Sequence, residues 1–487
     1  MFLLYLYLLY LLYLLFIIIF IIIFIIIFII IFIIYENNIL YIYIYYYMIN
    51  IFNNINNKLS NTKVLPRYFP IVLKNALGIN ITDINNKTYI DCISAAGSLP
   101  LGHNHKTLKN ALNDFHNNNY PIQTMDLPTE LQYNFMNELY DFLPYSFSNN
   151  IKLQMCSPSG SDVIEAAIKL AKIHTNRNSI ICFYGSYHGQ TFTSTSMSSK
   201  LRYNLPYNSL SDINFLPYPN SYRCPYHIGY NNYKLSLNHL HTILNDTQSG
   251  ISKPAAIIFE PIQGEGGVIS PPIEWIQEIR KITYEHDIPL ILDEIQTGFC
   301  RTGKRFAFQY SNITPDILCL AKAVGGSMPL GVLLFDEKFN TWNEYQHAGT
   351  WRGNQLGFLT GYNTIKYMSD NLVCVNSYNM GNHFYTYMNS ILYKYPFIGD
   401  IRYKGLMLAI EIVDNSVQPN SIGTYPPDKK KTIQLQKICM DNGLLVLRGG
   451  SNSNVIRLMP PLNLTYSELC DILFILEKSL DSLNNTN

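Results

Sequence analysis

From Phe2 to Tyr35 the chain carries no charge, no glycine and no proline, and a Phe-Ile-Ile-Ile unit repeats from Phe16 to Phe32. At ~1.5 Å per residue, a helix of that length outreaches the ~30 Å hydrocarbon core of a bilayer. The run is too long for a signal-peptide apolar region, and it lacks a basic start and a small-residue cleavage site. Glu36 is the first charge and Lys58 the first positive one, so no basic flank sets an orientation. Two readings stand: a transmembrane anchor, or a low-complexity tract without function. The excess of Asn, Ile and Tyr from Asn37 to Asn61 favours compositional bias, and Met48 offers an alternative start.

Beyond Leu65 the pattern changes. Residues 78–93 alternate as strands do, around an Asp83-Ile-Asn-Asn-Lys87 hairpin turn. After Ser157-Pro-Ser-Gly-Ser161, positions Val163, Ile164, Ala167, Ile168 and Ala171 recur with helical spacing, and Asp162 with Glu165 fits a capping box. Apolar runs at 180–184, 255–260, 288–293 and 317–321 read as short buried strands. A helix follows Pro271-Pro272, with Ile273, Ile276, Ile279 and Ile282 on one face. Strand–helix alternation of this kind predicts a parallel sheet with helices on both faces. After about Asn354 the pattern predicts one long helix, a strand over 406–413, a helix over 431–442, a strand over 455–458 and a closing helix from about Ser467.

A chain of 487 residues buries a large core and holds more than one domain. Its net charge of +1, with 14% charged residues, argues against nucleic acid as the main partner. Nine cysteines lie scattered with no Cys-x-x-Cys pair, which predicts reduced thiols of an intracellular protein rather than a disulfide frame or a metal site. Cys300 reads as a packing residue.

Two of the apolar runs end on a charge. Asp293 closes one, and Lys322 closes another 29 residues later. Open α/β sheets place their sites at such strand ends. A buried lysine and a buried carboxylate suit pyridoxal 5′-phosphate (PLP): the lysine forms a Schiff base, and the carboxylate keeps the pyridine nitrogen protonated. The same pair is also compatible with a plain ion pair. Gly160 and Ser161, at a helix start, could hold a phosphate or simply cap the helix. Tyr187 could lie on a ring or in the core, and His188 could support it or be a satisfied structural histidine. Thr350 offers a hydroxyl to a phosphate or belongs to an ordinary turn. Glu260 ends a strand as Asp293 does, and is open between an inward carboxylate and a surface cap.

Together these segments resemble the class III PLP-dependent aminotransferases. The resemblance runs from about Leu65 to Leu476 and rests on Tyr89-Ile-Asp91, Gly102-His103, Ser159-Gly160 with Glu165-Ala-Ala167, and Tyr187-His-Gly189. It continues through Glu260-Pro-Ile-Gln-Gly-Glu265-Gly-Gly267, Leu292-Asp-Glu-Ile-Gln296 with Arg301-Thr-Gly303, Ala321-Lys322 with Gly325-Gly326, and Ile456-Arg-Leu-Met-Pro-Pro461. It implies an α/β, fold-type I PLP-dependent transferase: a large domain with a mostly parallel sheet, a smaller α+β domain, and the apolar N-terminal tract in front. It also implies roles. Lys322 is the Schiff-base lysine, Asp293 the pyridinium partner, and Gln296 the residue near the ring hydroxyl. Gly160 and Ser161 hold the phosphate, which Thr350 reaches from the other subunit of a homodimer. Arg457 takes a substrate carboxylate, and Glu265 pairs with that arginine when no α-carboxylate is present.

The segments Ser157–Asp162 and Gly349-Thr-Trp-Arg-Gly-Asn354 depart from the commonest forms of the family. Within the group they look more like diaminobutyrate:2-oxoglutarate aminotransferases, as do Tyr68-Phe-Pro70, Met125-Asp-Leu127 and Arg448-Gly-Gly450. The implied reaction moves the ω-amino group of 2,4-diaminobutyrate to 2-oxoglutarate. Ornithine, acetylornithine and 4-aminobutyrate aminotransferases, an aminomutase on the same fold, and an inactive membrane-tethered scaffold remain as alternatives. The expected organisation is an apolar tract at 1–35, an Asn/Ile/Tyr-rich linker at 36–64, an N-terminal small-domain segment at 65–110, a large cofactor-binding domain at 111–353 and a C-terminal small domain at 354–487. The catalytic part is expected in the cytoplasm, tethered to a membrane if the tract is an anchor.

Overall fold

The computed structural model describes residues 1–62, 65–205, 212–229 and 232–485; the side chains of residues 33–45, 66–67, 148 and 232 also lie outside the described set. The chain divides into two units, residues 1–75 with 81–88, and residues 76–80 with 89–487.

In the first unit a helix runs from Phe2 to Lys58. It passes through most of the Asn-, Ile- and Tyr-rich stretch, whose last two residues, 63–64, lie outside the described residues. The segment Phe2–Phe32 is exposed on every side, and it is long and apolar enough to cross a membrane. A helix that is apolar all round has no polar face to give to water. Asp83 closes the turn read from the sequence, its Oδ1 accepting hydrogen bonds from Asn85 N and Lys87 N. Asn85 Nδ2 lies 2.9 Å from Met48 Sδ.

The second unit is built on a seven-stranded sheet. Its strands are β1 (Ile151–Cys156), β2 (Ile180–Phe183), β3 (Ile213–Leu216), β4 (Ala256–Phe259), β5 (Leu290–Asp293), β6 (Ile317–Leu320) and β7 (Gly331–Asp336), in spatial order β1-β7-β6-β5-β4-β2-β3. Strands β2 to β6 pair in parallel. Strand β7 runs antiparallel to both β1 and β6. Successive side chains feed opposite faces. Ile257, Phe259, Leu290 and Leu292 join a core with Trp275, Ile276, Ile279 and Ile282 of the helix Ile273–Glu285. Ala256, Ile258, Ile291 and Cys319 join a second core with Val163, Ile164 and Ala167 of the helix Gly160–Thr175. Burial on both faces explains why these strands read as continuous apolar runs.

A smaller antiparallel sheet follows, with strands β8 (Ile398–Lys404), β9 (Met407–Ile412), β10 (Leu447–Gly449) and β11 (Val455–Leu458) in the order β8-β9-β11-β10. The closing helix, Tyr466–Asn484, starts on a capping box between Thr465 and Glu468.

Three expectations need correction. Asp162 and Glu165 do not form a capping box. Ser159 caps that helix by accepting from Ser161 N, while Asp162 accepts from Ser157 N and Glu165 from Thr191 Oγ1 and Thr193 N. The long helix after Asn354 is two helices, Gln355–Asp370 and Val373–Ile391, because Leu372 adopts a left-handed φ of 50° that ends the first and caps the second. Cys300 is not a free packing thiol: it forms a disulfide with Cys374. The two are 74 residues apart, so no local spacing announces the bond. The other seven cysteines are free.

Candidate active site

Strands β4, β5 and β6 lie side by side and end at the same edge, with Phe259 opposite Leu292 and Asp293 opposite Cys319. Glu260, Asp293 and Lys322 therefore leave three neighbouring strands at the carboxyl edge of the sheet. They line a cavity of about 370 Å³ together with Gly160, Ser161, Tyr187, His188, Glu265 and Gln296.

Each acidic side chain in the cavity is fixed. Asp293 Oδ2 lies 2.7 Å from His188 Nδ1, and its Oδ1 accepts from Ile295 N at 3.1 Å. Glu260 accepts from Tyr187 N and Gly264 N, both at 2.9 Å. It is thus the inward carboxylate of the two readings. Desolvation, reinforced by the nearby Asp293, holds its pKa above the usual carboxylate range. Burial likewise raises the Tyr187 phenol.

Lys322 sits one residue past Ala321 in a left-handed conformation, φ 53°. Such a backbone costs a residue with a Cβ about 1–3 kcal/mol. Desolvation lowers its pKa, although Glu265, Asp293 and Glu260 pull the other way. The result is an amine that gives up its proton more readily than a surface lysine.

The phosphate-type segment is held from behind. Ser161 Oγ accepts from Gln190 N at 3.1 Å. Asp162, which binds Ser157 N, also lies 3.3 Å from His347 Nε2. Gly160 is packed close, since a Cβ there would meet Ile295 at 3.1 Å.

Two predicted residues do not line the cavity. Arg457, on β11, is 1% exposed and pairs with Glu265 through Nη2, while its Nε and Nη1 have no partner among the described residues. Thr350 is exposed on a loop, where its carbonyl accepts from Gln123 Nε2 at 2.9 Å. The cavity also includes Ala96, Ser98 and the stretch Ser327–Leu330, which the sequence did not single out. They are small or apolar and carry no chemical signal. Ser94, Ala95 and Ala96 are all left-handed, which no residue type here announces.

The donor set fits PLP. A carboxylate braced by an imidazole suits a protonated ring nitrogen, and a desolvated lysine suits an aldehyde. Gln296 supplies the sharper test: its Nε2 donates to Ala96 O at 3.2 Å, whereas its buried Oε1 has no partner among the described residues. A ring hydroxyl would satisfy that orphan acceptor.

Fold and donor set together define a PLP-dependent enzyme of the aminotransferase type. The chain belongs to the class III aminotransferases, whose family model matches residues 63–480. It is 41% identical to a diaminobutyrate–2-oxoglutarate aminotransferase of Haemophilus influenzae, over 84% of this chain and 90% of that one. It is 38% identical to a protein of the same name from Rhizobium meliloti, over 84% and 88%. Among solved structures, it resembles a PLP-bound amine transaminase from an uncultivated Pseudomonas species, with a TM-score of 0.77, 25% identity and coverage of 88% and 98%.

Proposed function

We propose that this aminotransferase moves the terminal amino group of 2,4-diaminobutyrate to 2-oxoglutarate, giving glutamate and a semialdehyde. The observation that carries the reading is the 41% identity, over most of both chains, to a relative named for that reaction. The site is compatible with it. Arg457 is buried with two donor nitrogens that have no partner among the described residues, an arrangement suited to a substrate carboxylate. When the reacting end of a substrate bears no carboxylate, Glu265 neutralises that arginine, as it does here.

Bound PLP supplies the electron sink that makes the substrate Cα–H or Cω–H acidic. The protein does the rest. Lys322 Nζ anchors the cofactor and then carries a proton to and from the reacting carbon. Asp293, oriented by His188, holds the ring-nitrogen proton. Gln296 would meet the ring hydroxyl, Tyr187 would lie against the ring, and Gly160 and Ser161 would hold the phosphate. Thr350 is exposed and does not line its own cavity; in this reading it would complete the phosphate site of a second copy in a homodimer. Residues 111–353 form the large domain, and residues 65–110 with 354–487 the small one. Residues 2–32 make a membrane contact.

The test is an amino-donor screen of the purified protein, with and without 2-oxoglutarate. Preference for diaminobutyrate supports the reading. Preference for ornithine or 4-aminobutyrate replaces the donor, and activity without a keto-acid acceptor points to an aminomutase.

A further inference from the structure

Three residues stand abreast in the small sheet. Arg402 of β8 lies opposite Ala409 of β9, and Ala409 lies opposite Arg457 of β11. Residues directly opposite in antiparallel strands present their side chains to the same face. With strands ~4.8 Å apart, the two arginines leave the sheet about 10 Å from one another. The small Ala409 between them shares a buried apolar cluster with Ile262 and Val268. The segment 262–268 therefore lies against this face, and each arginine takes hold of it. Arg457 Nη2 pairs with the Glu265 carboxylate. Arg402 Nε and Nη2 donate to Gly267 O at 3.0 and 2.9 Å.

The two grips differ in kind. Arg457 holds a side chain, and the Glu265 side chain is 42% exposed, so it is free to rotate away. Arg402 holds the backbone and is itself locked from behind. Its Nη1 donates to Asp400 Oδ2 at 2.7 Å and to Glu411 Oε2 at 2.6 Å. Buried Glu411 in turn accepts from Arg223 Nε and Asn454 Nδ2. On the other side of Glu265, Gly264 N is held by Glu260, and Gly450 N donates to Glu265 O at 2.8 Å. Gly267 has a φ of 114°, where a side chain is strained, and a Cβ there would come within 3.3 Å of Arg402 Nη2. The backbone is thus pinned before, at and after Glu265.

We propose that Arg402 is a positioning residue: by clamping Gly267 O it fixes the backbone from which Glu265 reaches Arg457, and so sets the balance between the two half-reactions. This inference rests on the reading above that Glu265 covers Arg457 for the donor's amino end and yields it to a carboxylate of 2-oxoglutarate. A carboxylate that swings from a fixed backbone returns to the same place, whereas one on a loose backbone covers the arginine only part of the time.

The test uses Arg402→Lys in the full-length holoenzyme. A lysine keeps a cation beside Asp400 and Glu411, but one ammonium cannot span both of them and Gly267 O as the guanidinium fork does. The two half-reactions are measured separately, by cofactor absorbance, with diaminobutyrate and with 2-oxoglutarate. A weakened charge-assisted hydrogen bond corresponds to roughly a tenfold effect. The donor half-reaction should therefore slow about tenfold in kcat/KM, and the acceptor half-reaction by less than about twofold. In a Glu265→Ala background, Arg402→Lys should leave the ratio of the two unchanged, because coupled residues lose their joint effect when one is removed. Independently of turnover, glutarate competes with Glu265 for Arg457, so it should raise the melting temperature of Arg402→Lys at severalfold lower concentration than that of wild type. Gly267→Ala crowds the same contact from the loop side with both arginines intact, and should shift the ratio in the same direction even if Arg402→Lys does not fold. Equal losses in both half-reactions overturn the proposal, as does a ratio change that persists without Glu265 or an unchanged glutarate titration. A wild-type enzyme that refuses diaminobutyrate or 2-oxoglutarate removes the functional reading instead, and that result is visible before any variant is made.

Discussion

Asp293 Oδ2 and His188 Nδ1 lie 2.7 Å apart, with both side chains buried at the end of the central sheet. The carboxylate's one other hydrogen bond among the described residues comes from Ile295 N, so the imidazole fixes its orientation. Removing the ring leaves a buried charge short of a donor, which costs about 1–3 kcal/mol. His188→Ala should therefore hold PLP roughly 5- to 150-fold less tightly while keeping the fold. Titration of apoprotein with PLP, followed by absorbance, checks this; wild-type affinity would make His188 a bystander.

Lys322→Ala should keep the fold, because it removes an amine whose burial is unfavourable and leaves the left-handed backbone as it is. Anchor and proton carrier disappear together, so turnover should fall by at least ~10²–10⁴-fold, the usual worth of a positioned acid–base group. The wild-type protein should be yellow, and borohydride should fix the cofactor on Lys322, as peptide mapping would show. Near wild-type turnover in the alanine variant would end this mechanism.

Glu294 is fully buried and accepts from Ala307 N, Phe308 N and Thr297 Oγ1. Desolvation raises its pKa to about 7 from 4.5. Its folded pKa thus lies above its unfolded one, and the folded state keeps the proton that the unfolded state loses. The contribution is most favourable below pH ~4.5 and is lost as pH rises to ~7, by on the order of 3 kcal/mol. Urea titrations from pH 5 to 7 should show this decline in wild type and a shallower one in Glu294→Gln. Equal slopes would place the titrating group elsewhere.

Legibility in the sequence followed the physics of each element. Strands β4, β5 and β6 were plain because burial on both faces forces unbroken apolar runs, and their charged ends then stand out. Asp293, Lys322 and Glu260 were found by that contrast. Features set by backbone conformation stayed hidden. Leu372 breaks the helical run with no Gly or Pro at the break, and Ser94–Ala96 bend through left-handed space with ordinary residues. The cap went to Ser159 rather than Asp162, because the carboxylate is drawn off to Ser157 N and His347. Contacts between distant segments were equally silent: Cys300 with Cys374, and Lys200 with the loop at Gly450.

The N-terminal helix gives the last prediction. Residues 2–32 are exposed and uniformly apolar, and they touch no core. Left in water, such a surface drives association, since soluble proteins rarely expose more than a few hundred Å² of contiguous apolar area. A bilayer removes the cost, and the segment is long enough to cross one with tilt. Met48, by contrast, is buried and meets Asn85, so the packed part of that unit begins near it. A chain that starts at Met48 should therefore stay soluble, dimeric and fully active. The full-length chain should sediment with membranes and resist carbonate extraction, with the same turnover per active site. Two results would count against this: full-length protein released by carbonate, or a chain from Met48 that aggregates. The second would mean that the residues before Met48 are needed for folding and not only for attachment.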